Sequence, residues 1–367
     1  MSQEKPSLFI VSGEASGDVH GAHLVRALLI LRPDLKIFGW GGDRMQAAGA
    51  TILKHYRELA FMGFWEVIVN LWTIRKNFQL VKKQILERKP KVVVLIDYPG
   101  FNLRLLPWLK EHGFVVIYYI APQAWAWKEG RVQSMRKYID ELLVILPFEE
   151  DFFKLRGLSV EFVGHPLLQS VPSVLSENQS KSKIALLPGS RKQEVSYILP
   201  VMMSVIPLFP DYQFVIAGMN HIDENHYRQL IGDMPVEIVF EKSDEVIQSS
   251  CLALVSSGTA TLQTALMNVP QIVCYKTGWL NYELGKRVIK VSYISLVNLI
   301  FNREVVKELI QDELNQNTLR KEMLEILCGN KAEKMKQDYS LLRGLLGEKN
   351  ASQRVANIVL SKYSLNN

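Results

Sequence analysis

Short runs of consecutive apolar residues, bounded by glycine, proline and hydroxyl residues, punctuate this chain. In its first half they fall at Leu8–Val11, Ile37–Trp40, Val92–Ile96, Val115–Ile120, Leu142–Ile145 and Glu161–Val163. Between them lie stretches with helical spacing, such as His20–Leu31, Gly63–Arg88 and Leu103–His112. Runs that stay apolar at successive positions, instead of alternating, predict strands covered on both faces. Their alternation with helices predicts a parallel, doubly wound sheet. Residues 166–182 are aperiodic and rich in Ser, Pro, Gln and Asn, and read as a linker. The strand pattern resumes at Ile184–Leu187, Gln213–Ala217, Glu237–Phe240, Leu252–Ser256 and Gln271–Tyr275. After Arg303 the pattern reads as helical and charged to the end, with Gly329 and Gly347 as stops.

Two of the runs end alike. Ser7–Ser12 passes into Gly13-Glu-Ala-Ser-Gly-Asp18, and Lys183–Leu187 passes into Pro188-Gly-Ser-Arg191; each then enters a helix-like stretch. The expected fold is therefore α/β, with two Rossmann-like, doubly wound domains facing across a cleft and a helical C-terminus. The expected bounds are 1–168, 183–340, and a helical segment 341–367 that returns to the first domain or swaps into a partner chain, in a monomer or homodimer.

Composition narrows this picture. With 367 residues, 48% of them hydrophobic, the chain can bury two ordinary cores. A net charge of +6 suits an anionic partner: nucleotide, phospholipid surface or nucleic acid. Nucleic acid is the weakest of these, because the basic residues cluster beside tryptophans and no recognised DNA or RNA motif is present. Cys251, Cys274 and Cys328 share no metal-type spacing and read as thiols in a reducing compartment. Neither a signal peptide nor an apolar run of about 20 residues is apparent. The expectation is a cytosolic protein, or one lying on a membrane from the cytosolic side.

Several loops carry candidate chemistry. Ser256-Ser-Gly-Thr-Ala-Thr-Leu-Gln263 follows a strand and opens a helix, where small residues free the first N–H groups to face an anion. Ser257, Gly258, Thr259 and Ala260 are thus candidates to hold a diphosphate; the plainer alternative is a helix capped by Ser256 or Ser257. Gly189, Ser190 and Arg191 occupy the equivalent place after another strand, and arginine's planar fork suits phosphate oxygens. The two loops are expected to converge at one edge of one sheet. Asp97 directly follows Val92–Ile96, where partial desolvation favours a general base; its alternative is a turn cap before Pro99. Glu14, Ser16, Asp18 and His20 in the first loop are acceptor-side candidates, with Glu14, Asp18 and His20 as rival bases.

The stretch Phe61–Ile74 is apolar almost all round, and residues 75–91 carry seven basic side chains against the one acid Glu87. A core helix would have such a face, and so would a helix lying on a membrane. In the second reading Met62, Phe64, Trp65, Ile68, Leu71 and Trp72 contact lipid, with insertion dominating over charge.

These residues together resemble the lipid-A-disaccharide synthase family over nearly the whole chain. The resemblance rests on Ser12-Gly-Glu-Ala-Ser-Gly-Asp18, Gly42-Asp-Arg-Met45, Leu59-Ala-Phe-Met-Gly63, Ile96-Asp-Tyr-Pro99, Gln123-Ala-Trp-Ala-Trp127, Leu146-Pro-Phe-Glu149 and Val163-Gly-His165. It continues through Leu187-Pro-Gly-Ser-Arg191, Ser257-Gly-Thr-Ala260, Tyr293-Ile-Ser-Leu296 with Asn298, and Arg303-Glu304 with Val306-Lys-Glu-Leu309. It implies an inverting glycosyltransferase of the two-domain B-type fold, at the cytosolic face of the inner membrane. The implied reaction joins UDP-2,3-diacylglucosamine to 2,3-diacylglucosamine 1-phosphate, with acylated glucosamine lipids as partners and UDP-sugar as substrate. No cofactor or metal is expected, and no Asp-x-Asp motif is present. By the same resemblance Gln263, Asn298, Arg303 and Glu304 belong to the donor site. Two positions depart from the family pattern: Gly100 stands where it usually has Asp, and Gln263 where it usually has Glu. The remaining alternatives are another UDP-sugar transferase or epimerase of the same fold, or a non-catalytic UDP-sugar-binding protein on the membrane surface.

Overall fold

The computed structural model describes residues 6–59, 71–127, 129–171, 182–288 and 291–364. It contains two compact units, one formed by Met1–Pro166 with Leu346–Asn367 and the other by Leu167–Leu345. Among the described residues, no helix is long and apolar enough to cross a membrane.

The first unit is built on seven parallel strands: β1 (Ser7–Ser12), β2 (Lys36–Gly41), β3 (Thr51–His55), β4 (Val92–Ile96), β5 (Val115–Tyr119), β6 (Glu141–Val144) and β7 (Val160–Phe162). Their spatial order is β3-β2-β1-β4-β5-β6-β7. All five residues of β4 are buried, because helices cover both faces. Val93 and Leu95 pack with Leu105, Leu106 and Tyr118 on one face, while Val92, Val94 and Ile96 pack with Val25 and Leu28 on the other. The helix Ala351–Ser364 belongs to this second layer, placing Val355, Ala356, Val359 and Tyr363 in the same core. It lies against the helix Ala15–Leu31 and is tied at its rim by Arg354 to Glu161 (3.0 Å) and Lys362 to Glu141 (2.7 Å). The chain returns to the first unit at Leu346 and not at 341, since the helix Lys331–Leu345 is part of the second.

The second unit has six parallel strands: β8 (Lys183–Leu187), β9 (Gln213–Gly218), β10 (Glu237–Phe240), β11 (Leu252–Ser256), β12 (Gln271–Tyr275) and β13 (Lys307–Ile310), ordered β10-β9-β8-β11-β12-β13. Here β13 corrects the expectation of helix throughout after Arg303. It pairs in parallel with β12, from Ile272↔Lys307 to Tyr275↔Ile310. Its sequence, Lys-Glu-Leu-Ile, conceals a strand because Glu308 is buried. That carboxylate accepts hydrogen bonds from the Ile294 and Ser295 backbone N–H groups (both 2.9 Å), the Ser295 hydroxyl (2.7 Å) and the Asn298 amide (2.8 Å). A buried polar group is stable when paired in this way. The edge strand β3 was also not anticipated, being half-buried and without clean alternation.

Both sheets reverse their strand order at one place, between β1 and β4 in the first unit and between β8 and β11 in the second. Ligands of open parallel sheets bind outside the carboxyl ends of the strands at such switch points.

Candidate active site

In the first unit the switch point is flanked by the loop after Ser12 and the loop after Ile96. The two pack tightly: a Cβ on Gly13 would stand 2.3 Å from the Tyr98 ring, and one on Gly17 would stand 2.4 Å from the Ser12 hydroxyl. Asp97 and Tyr98 both adopt left-handed backbone conformations, with φ of 46° and 50°. Each such non-glycine residue costs about 1–3 kcal/mol and persists only where its surroundings hold it. Here the Asp97 N–H donates to Tyr119 O (3.0 Å), and its carbonyl accepts from the Tyr118 hydroxyl (2.6 Å) and the Asn102 amide (2.8 Å). Pro99 then opens the helix Pro99–Glu111, and the Tyr98 ring stacks on Phe101 at 5.6 Å. With its main chain fixed from several sides, Asp97 carries a carboxyl pushed up to about 6. Burial is the main cause and the nearby Glu14 carboxylate adds to it, against a hydrogen bond from the Tyr98 N–H. Gly100 lies one residue beyond Pro99 with open space at its Cβ position.

A second carboxyl escaped the sequence reading. Glu149 is 2% exposed and accepts hydrogen bonds from the Trp125 indole N–H (2.9 Å) and the Leu146 (3.0 Å) and Ile145 (3.3 Å) N–H groups. Burial raises it to about 7; those donors oppose the rise, and the Asp97 charge adds to it. Two stretches far apart in sequence, residues 123–127 and 146–149, thus meet beside Asp97. The available signal was a glutamate three residues after Leu146 at a helix start, a pattern that marks a cap and says nothing of burial.

The first-loop candidates divide. Glu14 and Ser16 are exposed at the helix start. Asp18, expected on the acceptor side, is 2% exposed, and its oxygens accept from the N–H groups of Gly42 (2.7 Å), Arg44 (3.1 Å) and Met45 (3.1 Å). It caps the helix Asp43–Ala47, so its lone pairs are committed and it is no rival base. Burial, with His23 beside it, lowers His20 to about 4; the ring is neutral at physiological pH, and its Nδ1 has no partner among the described residues.

In the second unit the switch-point loops are Pro188–Arg191 and Ser257–Gly258. Gly189 has φ of 125°, and a Cβ there would stand 2.6 Å from the Glu194 carboxylate. Glu194, in the first turn of the helix Lys192–Ser204, folds back over the loop and accepts from the N–H groups of Ser190 (3.0 Å) and Arg191 (3.2 Å) and from the Arg191 guanidinium (2.9 Å). The loop therefore already holds an anion, supplied by its own helix. The helix Thr259–Leu266 is preceded by Gly258 with φ of 152°, and neither Ser256 nor Ser257 caps it. The Ser257 hydroxyl instead donates to Ile294 O (3.0 Å), and it leaves the first turn, with Thr259 exposed and Ala260 half-buried, without a side-chain cap. Gln263 donates from its amide to the Asp244 carboxylate, a group raised by burial and drawn back by that bond.

The remaining donor-site expectations lie elsewhere. Asn298 is fully buried: its amide donates to Val306 O and Glu308 (both 2.8 Å), and its oxygen accepts from Val305 (2.7 Å) and Val306 (3.0 Å). It pins the entry to β13 and has nothing left for a ligand. Arg303 and Glu304 precede β13, at the amino-terminal edge of the sheet, because the helix Leu296–Phe301 leads away from Ile294 beside Ser257. Arg303 forms a paired-hydrogen-bond ion pair with Asp338 (2.5 and 3.0 Å), and Glu304 pairs with Lys307 (3.3 Å). Neither joins the two loops. Met62, Phe64, Trp65 and Ile68 fall outside the described residues, as does the side chain of Leu71. Trp72, near the start of the helix Leu71–Arg88, is 67% exposed, with the Lys76 ammonium 5.4 Å from its ring centroid.

The comparisons agree with this architecture and extend it. In fold, the chain is similar to a putative UDP-N-acetylglucosamine 2-epimerase from Listeria monocytogenes, with a TM-score of 0.67, 13% identity, and 99% of this chain and 98% of that one covered. It is also similar to the calicheamicin glycosyltransferase, with a TM-score of 0.61, 14% identity and 99% of each chain covered. At that identity they show the two-domain glycosyltransferase B-type fold and leave the chemistry open. Sequence decides the family. The lipid-A-disaccharide synthase of Myxococcus xanthus (strain DK1622) is 39% identical over 372 residues, covering 97% of both chains. The family model described as lipid-A-disaccharide synthetase matches residues 8–361, and this chain belongs to that family.

Proposed function

We propose that this chain joins UDP-2,3-diacylglucosamine to 2,3-diacylglucosamine 1-phosphate, giving the β-1,6-linked lipid A disaccharide 1-phosphate and UDP. Family membership over residues 8–361 supports the glycosyltransferase role. The observation that carries the mechanism is Asp97: a carboxyl at the switch point of the first unit, fixed by its backbone and raised to about 6. Such a group is ionised at neutral pH, yet it is a stronger base than an ordinary aspartate. Asp97 takes the proton of the acceptor 6′-hydroxyl as that oxygen forms its bond to the donor anomeric carbon, on the face opposite UDP. The anomeric C–O bond to the diphosphate breaks in the same displacement, which inverts the configuration.

In the second unit, the charge on the departing diphosphate is met by Arg191, the N–H groups of Gly189–Arg191, and the first turn at Gly258–Ala260. Glu194 must swing away as the diphosphate arrives. Gln263, with Asp244 at its side, faces the donor ribose. Glu14, Ser16 and His20 line the acceptor side, and no metal is required. The enzyme works peripherally at the cytosolic face of the inner membrane, where its acylated substrates reside.

Incubating the protein with both acylated substrates and following UDP release tests this reading. Asp97→Asn is expected to lower turnover about 10²–10⁴-fold while leaving UDP affinity intact. Turnover within threefold of the parent would remove Asp97 from the role.

A further inference from the structure

The second unit bears an aromatic and basic surface that the reaction above does not use. After β12 the chain leaves the carboxyl edge of the sheet and enters the helix Trp279–Val288. Trp279 at its first position is 73% exposed, although a large ring is normally well buried. Tyr197, on the helix Lys192–Ser204, is 43% exposed, and its hydroxyl lies 3.4 Å from where a Cβ on Gly278 would stand. Tyr197 therefore lies beside the start of the helix that Trp279 opens. Trp279, Tyr282 and Lys286 recur at i, i+3 and i+7, on one face of their helix, and the Lys286 ammonium lies 6.0 Å from the Tyr282 ring centroid. Tyr275, which ends β12, is raised by burial and also feels Glu194, Arg191 and Tyr282, so the helix of Tyr282 and the candidate diphosphate loop both lie near the end of β12.

Charge indicates what covers it. On the two helices that carry the rings Lys192, Lys286 and Arg287 are exposed, and Lys276 between β12 and the second of them is half-buried; the acids of those helices are Glu283 and Glu194, the latter held by the 189–191 loop. Exposed Trp and Tyr with a rim of Lys and Arg match the interface of an anionic bilayer, where the rings sit at headgroup level and the cations meet lipid phosphates. We infer that Trp279, Tyr197 and the basic side chains of their helices form a bilayer-contacting surface on the second unit. The inference deepens the reading above, because it would seat the donor-binding edge against the membrane that carries the acylated substrates.

Co-sedimentation of the full chain with phosphatidylethanolamine vesicles containing one quarter phosphatidylglycerol tests it, with UDP titration as an independent check on the second unit. The double variant Trp279→Ser/Tyr197→Ser is expected to lower the vesicle partition coefficient at least tenfold with UDP affinity within twofold of the parent. Trp279→Phe should stay within threefold of the parent. Lys286→Glu/Arg287→Glu should weaken partition severalfold at low salt and by less as salt screens the lipid charge. Equal partition for parent and double variant would overturn the inference. So would unchanged partition with a raised KM for the acylated donor, since the rings would then hold substrate chains and not the bilayer. A parent that sediments with vesicles but does not bind UDP would refute the proposed function and leave this inference standing.

Discussion

The two units place the same architecture at the service of opposite charge. Each is a parallel sheet whose order reverses once, and each reversal lies between two loops at the carboxyl ends of the strands. In the first unit those loops carry the buried Asp97, raised to about 6, and the exposed Glu14, while the buried Glu149, at about 7, adds its carboxyl from the helix after β6. In the second they gather donors: Arg191, the N–H groups behind it and a helix start opened by Gly258, with Glu194 holding the place of an anion. A switch point is only a position. Fold neighbours include both a putative epimerase and a glycosyltransferase, so the position alone does not fix what it takes.

The comparison breaks most sharply if the units are not energetically separate. Val359 sits fully buried in the first unit's core, although the chain reaches it only after passing through the second. Val359→Asp buries an unpaired charge, which costs about 3–5 kcal/mol, and should lower the first thermal transition by about 10 °C or more. UDP affinity, which the proposed function assigns to the second unit, should be unchanged below that transition. Joint loss of both would mean that the two units unfold as one.

A pH profile sharpens the comparison on the side of the first unit. As the proposed base, Asp97 acts in its ionised form, so kcat/KM should climb as pH rises through about 6. Glu14→Gln removes one of the two influences that raise Asp97, so the acid limb should move to lower pH; burial, the larger influence, keeps it above that of a free aspartate. A limb that stays in place would show that Glu14 is too well solvated to matter.

The smallest expected effect is at the second unit's internal anion. Glu194→Gln removes the charge that competes for the loop N–H groups and for Arg191, and UDP should bind about three- to tenfold tighter. Weaker binding would instead mean that Glu194 holds the loop in its working shape.

How much of this was legible follows from how burial writes itself into a sequence. Val92–Ile96 and Leu252–Ser256 were readable to the residue, since a strand covered on both faces must be apolar throughout. The glycine and hydroxyl residues after β1, β8 and β11 marked both switch points. Interior polar residues defeated the same reasoning. Glu308 hid β13, and nothing in the sequence marks Asp18 or Asn298 as side chains that satisfy buried backbone groups. Arg303 and Glu304 showed a further limit: a motif gives spacing along the chain, but it does not give the edge of the sheet on which the residue stands. Glu149 was invisible as a partner of Asp97 because a helix cap reads the same whether wet or dry.

The division of labour itself is tested most directly by measuring turnover and UDP affinity side by side for Asp97→Asn and Arg191→Ala. The account predicts that Asp97→Asn loses about 10²–10⁴-fold in turnover with unchanged UDP affinity. It predicts that Arg191→Ala weakens UDP binding by about 10–100-fold, as expected when a charge-assisted contact to a diphosphate is lost. Asp97→Asn that weakens UDP as strongly as Arg191→Ala, or that turns over within threefold of the parent, would contradict the assignment of proton transfer to the first unit and diphosphate binding to the second.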